Sequence, residues 1–220
     1  MLPSVATEAD AVLIDGPYLT GRRRLIHPLL RSWTAEPVIV STRHVEDRIR
    51  RVHEQATDGG DEDPVVVDCV SAAHADDLDE TPATRYAAGP GNLTDIGTTV
   101  TEVLESRRDE DLAVGVAALS PLVTYNSVES VFQFAQLLIN QATGQGWPVA
   151  AVAATPVFDD PRRRALREPF DAVIETRKRG AIDAPGEAAD AVGATDSTDD
   201  AVFRVRSREG VTDWTPVSSV

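Results

Sequence analysis

The stretch LIDGPYLTGRRRL, Leu13 to Leu25, carries the layout of a phosphate-binding loop without its working residues. An apolar run, Ala11-Val12-Leu13-Ile14, leads into Gly16; Gly21 follows after four residues, and an apolar-periodic segment begins beyond it. Strand, glycine loop and helix in that order are what the motif requires, because glycines permit a tight backbone path and a helix start offers N–H groups to an anion. The motif then requires Lys followed by Ser or Thr. This chain has Arg22 and Arg23. Arg22 could still meet a phosphate, but Arg23 cannot ligate a cation.

A chain of 220 residues with 42% hydrophobic content can bury one substantial core, and no apolar run approaches the ~20 residues of a membrane span. One domain is expected over 1–220, with its core over 11–180. The start, Met1 to Asp10, lacks a charged segment followed by an apolar one, so the expected location is the cytoplasm, with neither secretion nor a membrane. Cys69 lies in PVVVDCVSAA, which reads as a buried strand, so it is expected to pack rather than react. His27, His44, His53 and His74 are scattered without metal spacing, and no metal site is expected. There is no Gly-x-Ser-x-Gly elbow, and neither Ser71 nor Ser120 has an identifiable base.

Charge is the strongest compositional signal. The formal net charge is −15, with 36 acidic residues against 21 basic ones, and Lys178 is the one lysine. An acidic surplus with almost no Lys resembles the cytosolic proteins of salt-loving archaea, whose surfaces stay soluble in molar salt. Nucleic acid is not expected as a partner, since phosphate-driven affinity falls steeply with salt. The clusters Arg48 with Arg50-Arg51, Arg162-Arg163-Arg164 and Arg177-Lys178-Arg179 are expected to be salt-paired faces. Arg22-Arg23-Arg24 differ, because a glycine loop and helix start already form an anion nest.

β-like and helical segments alternate along the chain. Strands are expected over Val12–Asp15, Pro37–Thr42, Pro64–Val70, Leu112–Leu119, Pro148–Thr155, Asp171–Thr176 and Ala201–Arg206, several of them continuous apolar runs suited to strands covered on both faces. Helical spacing recurs in Val45, Ile49 and Val52; in Leu93, Ile96, Val100 and Val103; and in Val128, Val131, Phe132, Ala135 and Leu138. The last set has Asn126 as its expected cap, with Glu129 three residues on, and stops near Gly144. Pro28 is expected to kink the first long helix. Right-handed crossovers then give a mainly parallel sheet flanked by helices, an α/β fold. Thr57 to Asp63 reads as a polar loop, and Asp183 to Asp200 as a flexible acidic linker without large apolar side chains. Residues 201–217 alternate around Glu209-Gly210 as a terminal β-hairpin.

The chain resembles the RecA-fold ATPase domain of the KaiC-like family, in a divergent haloarchaeal form, over roughly Val12 to Thr176. VIVSTRHVEDRI, Val38 to Ile49, is similar to the family's second strand and following helix. LAVGVAALSPLVTYNSVESVFQFAQLL, Leu112 to Leu138, is similar to its Walker B strand, turn and long helix; VVVDCVS and GPGNLTDIGTTVTEVLE look like segments of divergent haloarchaeal members. The resemblance implies a RecA-like P-loop NTPase fold with degenerate Walker A and Walker B motifs. In the family a Lys and a hydroxyl meet the phosphates and Mg²⁺, a Glu pair after the second strand prepares water, and a Walker B Asp holds the magnesium shell. The corresponding positions here are Arg22 and Arg23, Arg43 and His44, and Ala117. Asp15 and Asp111 lie where they cannot replace these groups; Asp68 is the best surviving carboxylate, with a capped strand end as its plainer reading.

Losing the metal hydroxyl, the Walker B carboxylate and the water-orienting carboxylates removes both metal and base from a reaction that consists largely of positioning and charge neutralisation. The expected protein is a noncatalytic regulatory or scaffold pseudo-ATPase that binds itself or an active KaiC-like relative. No cofactor is required: ATP would bind weakly at most, and without Mg²⁺. A residual nucleotide-binding switch or weak ATPase is the alternative. A DNA-recombination accessory comes third; the Arg clusters permit it and the net charge disfavours it.

Overall fold

In the computed structural model, residues 1–57, 59, 63–75, 77–181 and 200–220 are described. Nine strands form one sheet in the order β4-β3-β2-β5-β6-β1-β7-β8-β9. Their ranges are β1 Ala11–Gly16, β2 Val38–Ser41, β3 Val65–Asp68, β4 Thr84–Tyr86, β5 Val114–Val116, β6 Val149–Ala154, β7 Ala172–Lys178, β8 Ala201–Ser207 and β9 Thr215–Pro216. Every neighbour from β4 to β7 is parallel. β8 then pairs antiparallel with β7 and with β9, so the terminal hairpin extends the sheet.

Among the described residues seven α-helices flank the sheet: α1 Ser4–Thr7, α2 Arg22–Trp33, α3 Glu46–Ala56, α4 Leu93–Ser106, α5 Ser120–Tyr125, α6 Val128–Thr143 and α7 Asp160–Arg167. Strand residues alternate between two apolar layers. Leu13, Val38, Val40 and Val67 face the layer that holds Ile96, Leu122, Phe134 and Leu166 of α4 to α7. Val12, Ile14, Ile39 and Val66 face the layer that holds Ala6, Leu25, Leu29 and Ile49 of α1 to α3. A strand clothed on both faces gains nothing from polar residues, which is why the period-two signal is missing from its sequence.

The expected strands are all present, with ends shifted by a few residues. Leu112–Leu119 shortens to β5, because the chain turns at Ala118 into α5. β4, a short edge strand of Thr84-Arg85-Tyr86 with two half-buried members, is additional. One local expectation is corrected. Ser127, not Asn126, caps α6, its side chain accepting the Ser130 N–H; Asn126 instead closes α5, donating from Nδ2 to the carbonyls of Leu122 and Pro90. α2 runs through Pro28 to Trp33. The acidic linker expected over Asp183 to Asp200 lies outside the described residues except for Asp200, whose carbonyl accepts the Arg179 N–H at 2.7 Å. Most of the expected loop from Thr57 to Asp63 also lies outside them.

Candidate functional site

In a parallel sheet the chain leaves each strand at the same edge, and ligand crevices form there. β1 leaves through the glycine loop. Gly16 is required because a Cβ on it would come 2.6 Å from the Thr176 carbonyl oxygen of β7. Gly21, at φ 74°, is the left-handed start of α2, and a Cβ there would strike Val217 of the C-terminal turn at 2.7 Å. Between them Thr20 donates to the Pro17 carbonyl at 2.8 Å and meets the Thr176 hydroxyl at 2.6 Å. Leu19 takes φ 61°, a conformation costly for a branched side chain.

Arg22 is folded into this loop. It is 7% exposed, its Nη1 donates to the Pro17 carbonyl, and its guanidinium lies 5.0 Å from the centroid of the Tyr18 ring. Burial, then the neighbouring charge of Arg23, pushes its pKa down to about 10. Its Nε is buried with no hydrogen-bond partner among the described residues. The Arg24 and Leu25 N–H groups bond the Gly21 carbonyl, while those of Arg22 and Arg23 have no acceptor among the described residues.

A second cationic layer lies beside the loop. Arg23 Nη1 stands 3.1 Å from His44 Nε2. His44 is pushed down to about 4 by burial and by the charges of Arg48, Arg23 and Arg43. Two hydroxyls fix the exit of β2: Ser41 donates to the His44 carbonyl, and Thr42 to the Ala118 carbonyl at 2.5 Å. Ala117, just past β5, packs against the α2 layer. Arg22, Arg23, Arg43, His44 and Ala117, far apart in sequence, thus gather at one edge of the sheet.

The nearby carboxylates have other partners. Asp15, 2% exposed, accepts from Thr155 Oγ1 at 2.9 Å and Arg167 Nε at 3.0 Å, with Arg163 Nε at 3.5 Å. Asp68 accepts from Val70 N, Ser71 N, Ser71 Oγ and Glu46 N at 2.7 to 3.0 Å, as a capped strand end. Burial alone would raise its carboxyl; the bonds from Glu46, Ser71 and Val70 outweigh burial and hold it down. The residues at the loop do not fit a magnesium ion: Arg23 and Ala117 supply no oxygen ligand, and Asp15 is already neutralised by two guanidiniums.

Three arrangements had no sequence signal. Arg167 bridges Asp15 to Glu175, which also pairs with Arg204 at 2.8 Å and Arg206 at 3.5 Å. Arg204 in turn lies over the Trp214 ring, at 4.6 Å from its centroid. His27 and His53, expected to be scattered, instead meet inside the α2–α3 contact. The expected salt-paired faces hold for Arg162 with Asp159 and Arg163 with Asp15, but not for Arg50, which donates instead to the Ala83 carbonyl and Thr84 Oγ1. Cys69 is buried, and burial, with Asp68 and Asp95 nearby, pushes its thiol up to about 12, a packing residue rather than a nucleophile.

The strand order, the glycine loop after β1 and the terminal antiparallel strands define a RecA-like P-loop NTPase fold. The chain belongs to DUF7504, a family of unknown function, which matches residues 9–176. No curated protein matches the sequence. Among solved structures it is similar to an uncharacterized protein of Pyrococcus horikoshii in complex with an unknown peptide, with TM-score 0.59 and 11% identity, covering 91% of this chain and 84% of that one. It is also similar to a KaiC-like protein of the same archaeon, with TM-score 0.53 and 10% identity over 94% and 83% of the two chains. An ATPase from the type III secretion system of pathogenic bacteria gives TM-score 0.50 and 13% identity over 82% and 55%. At such identities the likeness is one of fold. Among the described residues no helix is long and apolar enough to cross a membrane.

Proposed function

We propose that this protein is a noncatalytic member of the RecA-like fold, a regulatory or scaffold subunit that acts by binding itself or an active KaiC-like relative. One observation carries the reading: Arg22 is turned into its own loop onto Pro17 and Tyr18, beside the charges of Arg23 and Arg43, and the carboxylate whose charge reaches it, Asp15, is held by Arg167 and Arg163. Hydrolysis of a nucleotide needs a group to orient water and a metal to neutralise the phosphates, and the side chains at these positions supply neither. The acidic surplus supports a place in the cytoplasm of a salt-loving archaeon.

A second reading, a weak nucleotide-binding switch, draws on the unpartnered Nε of Arg22 and the open N–H groups of the first turn of α2. Calorimetry with ATP in molar KCl, with and without Mg²⁺, together with a phosphate-release assay, separates the two. The expected result is affinity weaker than ~100 µM, less than about 5.5 kcal/mol, indifferent to Mg²⁺ and without turnover. Micromolar, Mg²⁺-dependent binding with turnover abolished by Arg22→Ala would overturn the noncatalytic reading.

A further inference from the structure

Three of the eight large apolar side chains exposed among the described residues lie at the loop edge: Tyr18 at 49%, Leu19 at 50% and Val45, next to His44, at 41%. Leu19 reaches solvent from a φ of 61°, a left-handed conformation that a branched side chain adopts at a cost and that glycine would take freely. Half exposed, it returns little burial to the fold. Strained residues of this kind cluster at ligand clamps and switch regions.

The charges beside these side chains are of one sign. Burial, then the charges of Arg43 and Arg48, pushes the Arg23 pKa down, as burial and the charges of Arg48, Arg23 and Arg43 do for His44, so these side chains form one cluster. Among the described residues Arg23, Arg43 and Arg48 have no ion-pair partner. Glu46, the first acid of α3, accepts instead from the Tyr86 hydroxyl at 3.3 Å, and Asp47 beside it pairs with none of the three. On a chain of net charge −15 an unneutralised cationic patch is the exception, and complementarity gives it an anionic partner. A nucleotide or a nucleic acid would use the arginines but not Leu19 and Val45. A polypeptide segment bearing both carboxylates and apolar side chains would use all of them, and Tyr and Arg are the side chains that most often anchor protein contacts.

We propose that the loop edge formed by Tyr18, Leu19, Arg23, Arg43, Val45 and Arg48 is the docking surface for an acidic segment of a partner protein, which lays carboxylates on the arginines and apolar side chains on Leu19 and Val45. The proposal rests on the reading of the loop as a contact surface rather than a site of hydrolysis, and it adds the chemistry of the partner. The arginines set the register of the segment. The apolar contacts supply affinity that persists at high salt, because a Debye length of about 3 Å at 1 M leaves only charges in direct contact to attract.

Fluorescence anisotropy of the full chain in molar KCl, with a labelled short peptide of alternating Glu-Glu and Leu-Leu pairs, tests the assignment. The expected result is saturable binding that an Arg43→Ser, Arg48→Ser double variant weakens at least about tenfold, with the circular dichroism spectrum unchanged. Leu19→Gly should weaken it about tenfold without lowering the melting temperature, since glycine takes the left-handed backbone freely, and Val45→Ser should weaken it as well. Arg108→Ser, at the opposite edge of the sheet, should leave it unchanged. Absence of binding, equal binding of a peptide with Ser in place of Leu, an equal loss in Arg108→Ser, or displacement by inorganic tripolyphosphate or ATP at concentrations below those of unlabelled peptide would each overturn it. Self-association in place of peptide binding, seen by sedimentation velocity and abolished in the double arginine variant, would assign the patch to a second copy and also overturn it. Phosphate release from ATP alongside intact peptide binding would instead overturn the noncatalytic reading alone.

Discussion

His27 and His53 face each other across the α2–α3 contact with their Nδ1 atoms 3.2 Å apart and their rings at 70°. Both are 3% exposed. At that distance one nitrogen donates and the other accepts; burial keeps both rings neutral near pH 7, and they then hold complementary tautomers.

This pair makes stability fall on mild acidification. Burial and the neighbouring His53 push His27 down to about 3; burial and Arg31 push His53 down to about 4, with Asp63 opposing weakly. Between these values and the ordinary histidine value near 6.5 the unfolded chain binds more protons than the folded one, so stability is full above about pH 6.5 and is lost as pH falls through the window. The slope is up to about 1.4 kcal/mol per pH unit for each ring. Denaturant midpoints in molar KCl should therefore drop between pH 7 and pH 5. A His27→Leu, His53→Leu double variant should lose most of that dependence, and an unchanged slope would show that the pair is not its source.

How far the sequence revealed this molecule depends on the distance over which each feature is built. The Gly16 to Arg23 loop, the buried strands and the helical stripe of α4 are local, and their residue types betray them. That Arg43, His44 and Ala117, none of them acidic, follow their strands is legible too. Contacts such as His27 with His53, or Asp15 with Arg167, join residues 26 and 152 positions apart and leave no spacing to read. The Asn126 cap was misplaced by one residue because Asn126 and Ser127 are both good capping residues. Arg22 was legible as a substitution, but its inward turn onto Pro17 depends on Tyr18 and the packing around it.

Arg167→Met should be among the more damaging single changes at the sheet edge. It leaves Asp15, whose side chain is 1% exposed, with the Thr155 hydroxyl and, as its cationic partner, the longer contact to Arg163, while Glu175 keeps Arg204. Removing one partner of a buried ion pair strands a charge, and with partial compensation from Arg163 the expected loss is about 2–3 kcal/mol. Adding Asp15→Asn should recover part of it. Chemical denaturation of the two single variants and the double variant measures the coupling, and strict additivity would contradict it.

The two loop glycines should differ in what rescues them. Gly16→Ala would press a methyl group against the Thr176 backbone at 2.6 Å, forcing β1 and β7 apart at a cost of roughly 3 kcal/mol or more. Thr176→Ala should not restore it, because the clash with the carbonyl remains. Gly21→Ala meets the Val217 side chain at 2.7 Å at φ 74°. There Val217→Ala should recover the steric part and leave about 1 kcal/mol of left-handed strain. Thermal melts of the four variants would show whether the pattern holds.

Salt should govern whether the fold persists at all. The ion pairs among the described residues gather at a few places, such as the Asp15–Arg167–Glu175 network and Arg107 with Glu36 and Glu110. They engage few of the acidic groups among the described residues, on a chain with 36 such groups and a net charge of −15. At 0.1 M ionic strength the Debye length is about 10 Å, long enough for neighbouring surface carboxylates to repel; at 1 M it is about 3 Å, and the repulsion is screened. Screening also weakens the ion pairs, but the partly buried network at Asp15 is shielded from it and the exposed pairs are worth little at any salt. The balance therefore favours folding at high salt. Circular dichroism should report loss of structure below a few tenths molar KCl. Stability that is equal in dilute and molar KCl would show that the carboxylates do not set the limit.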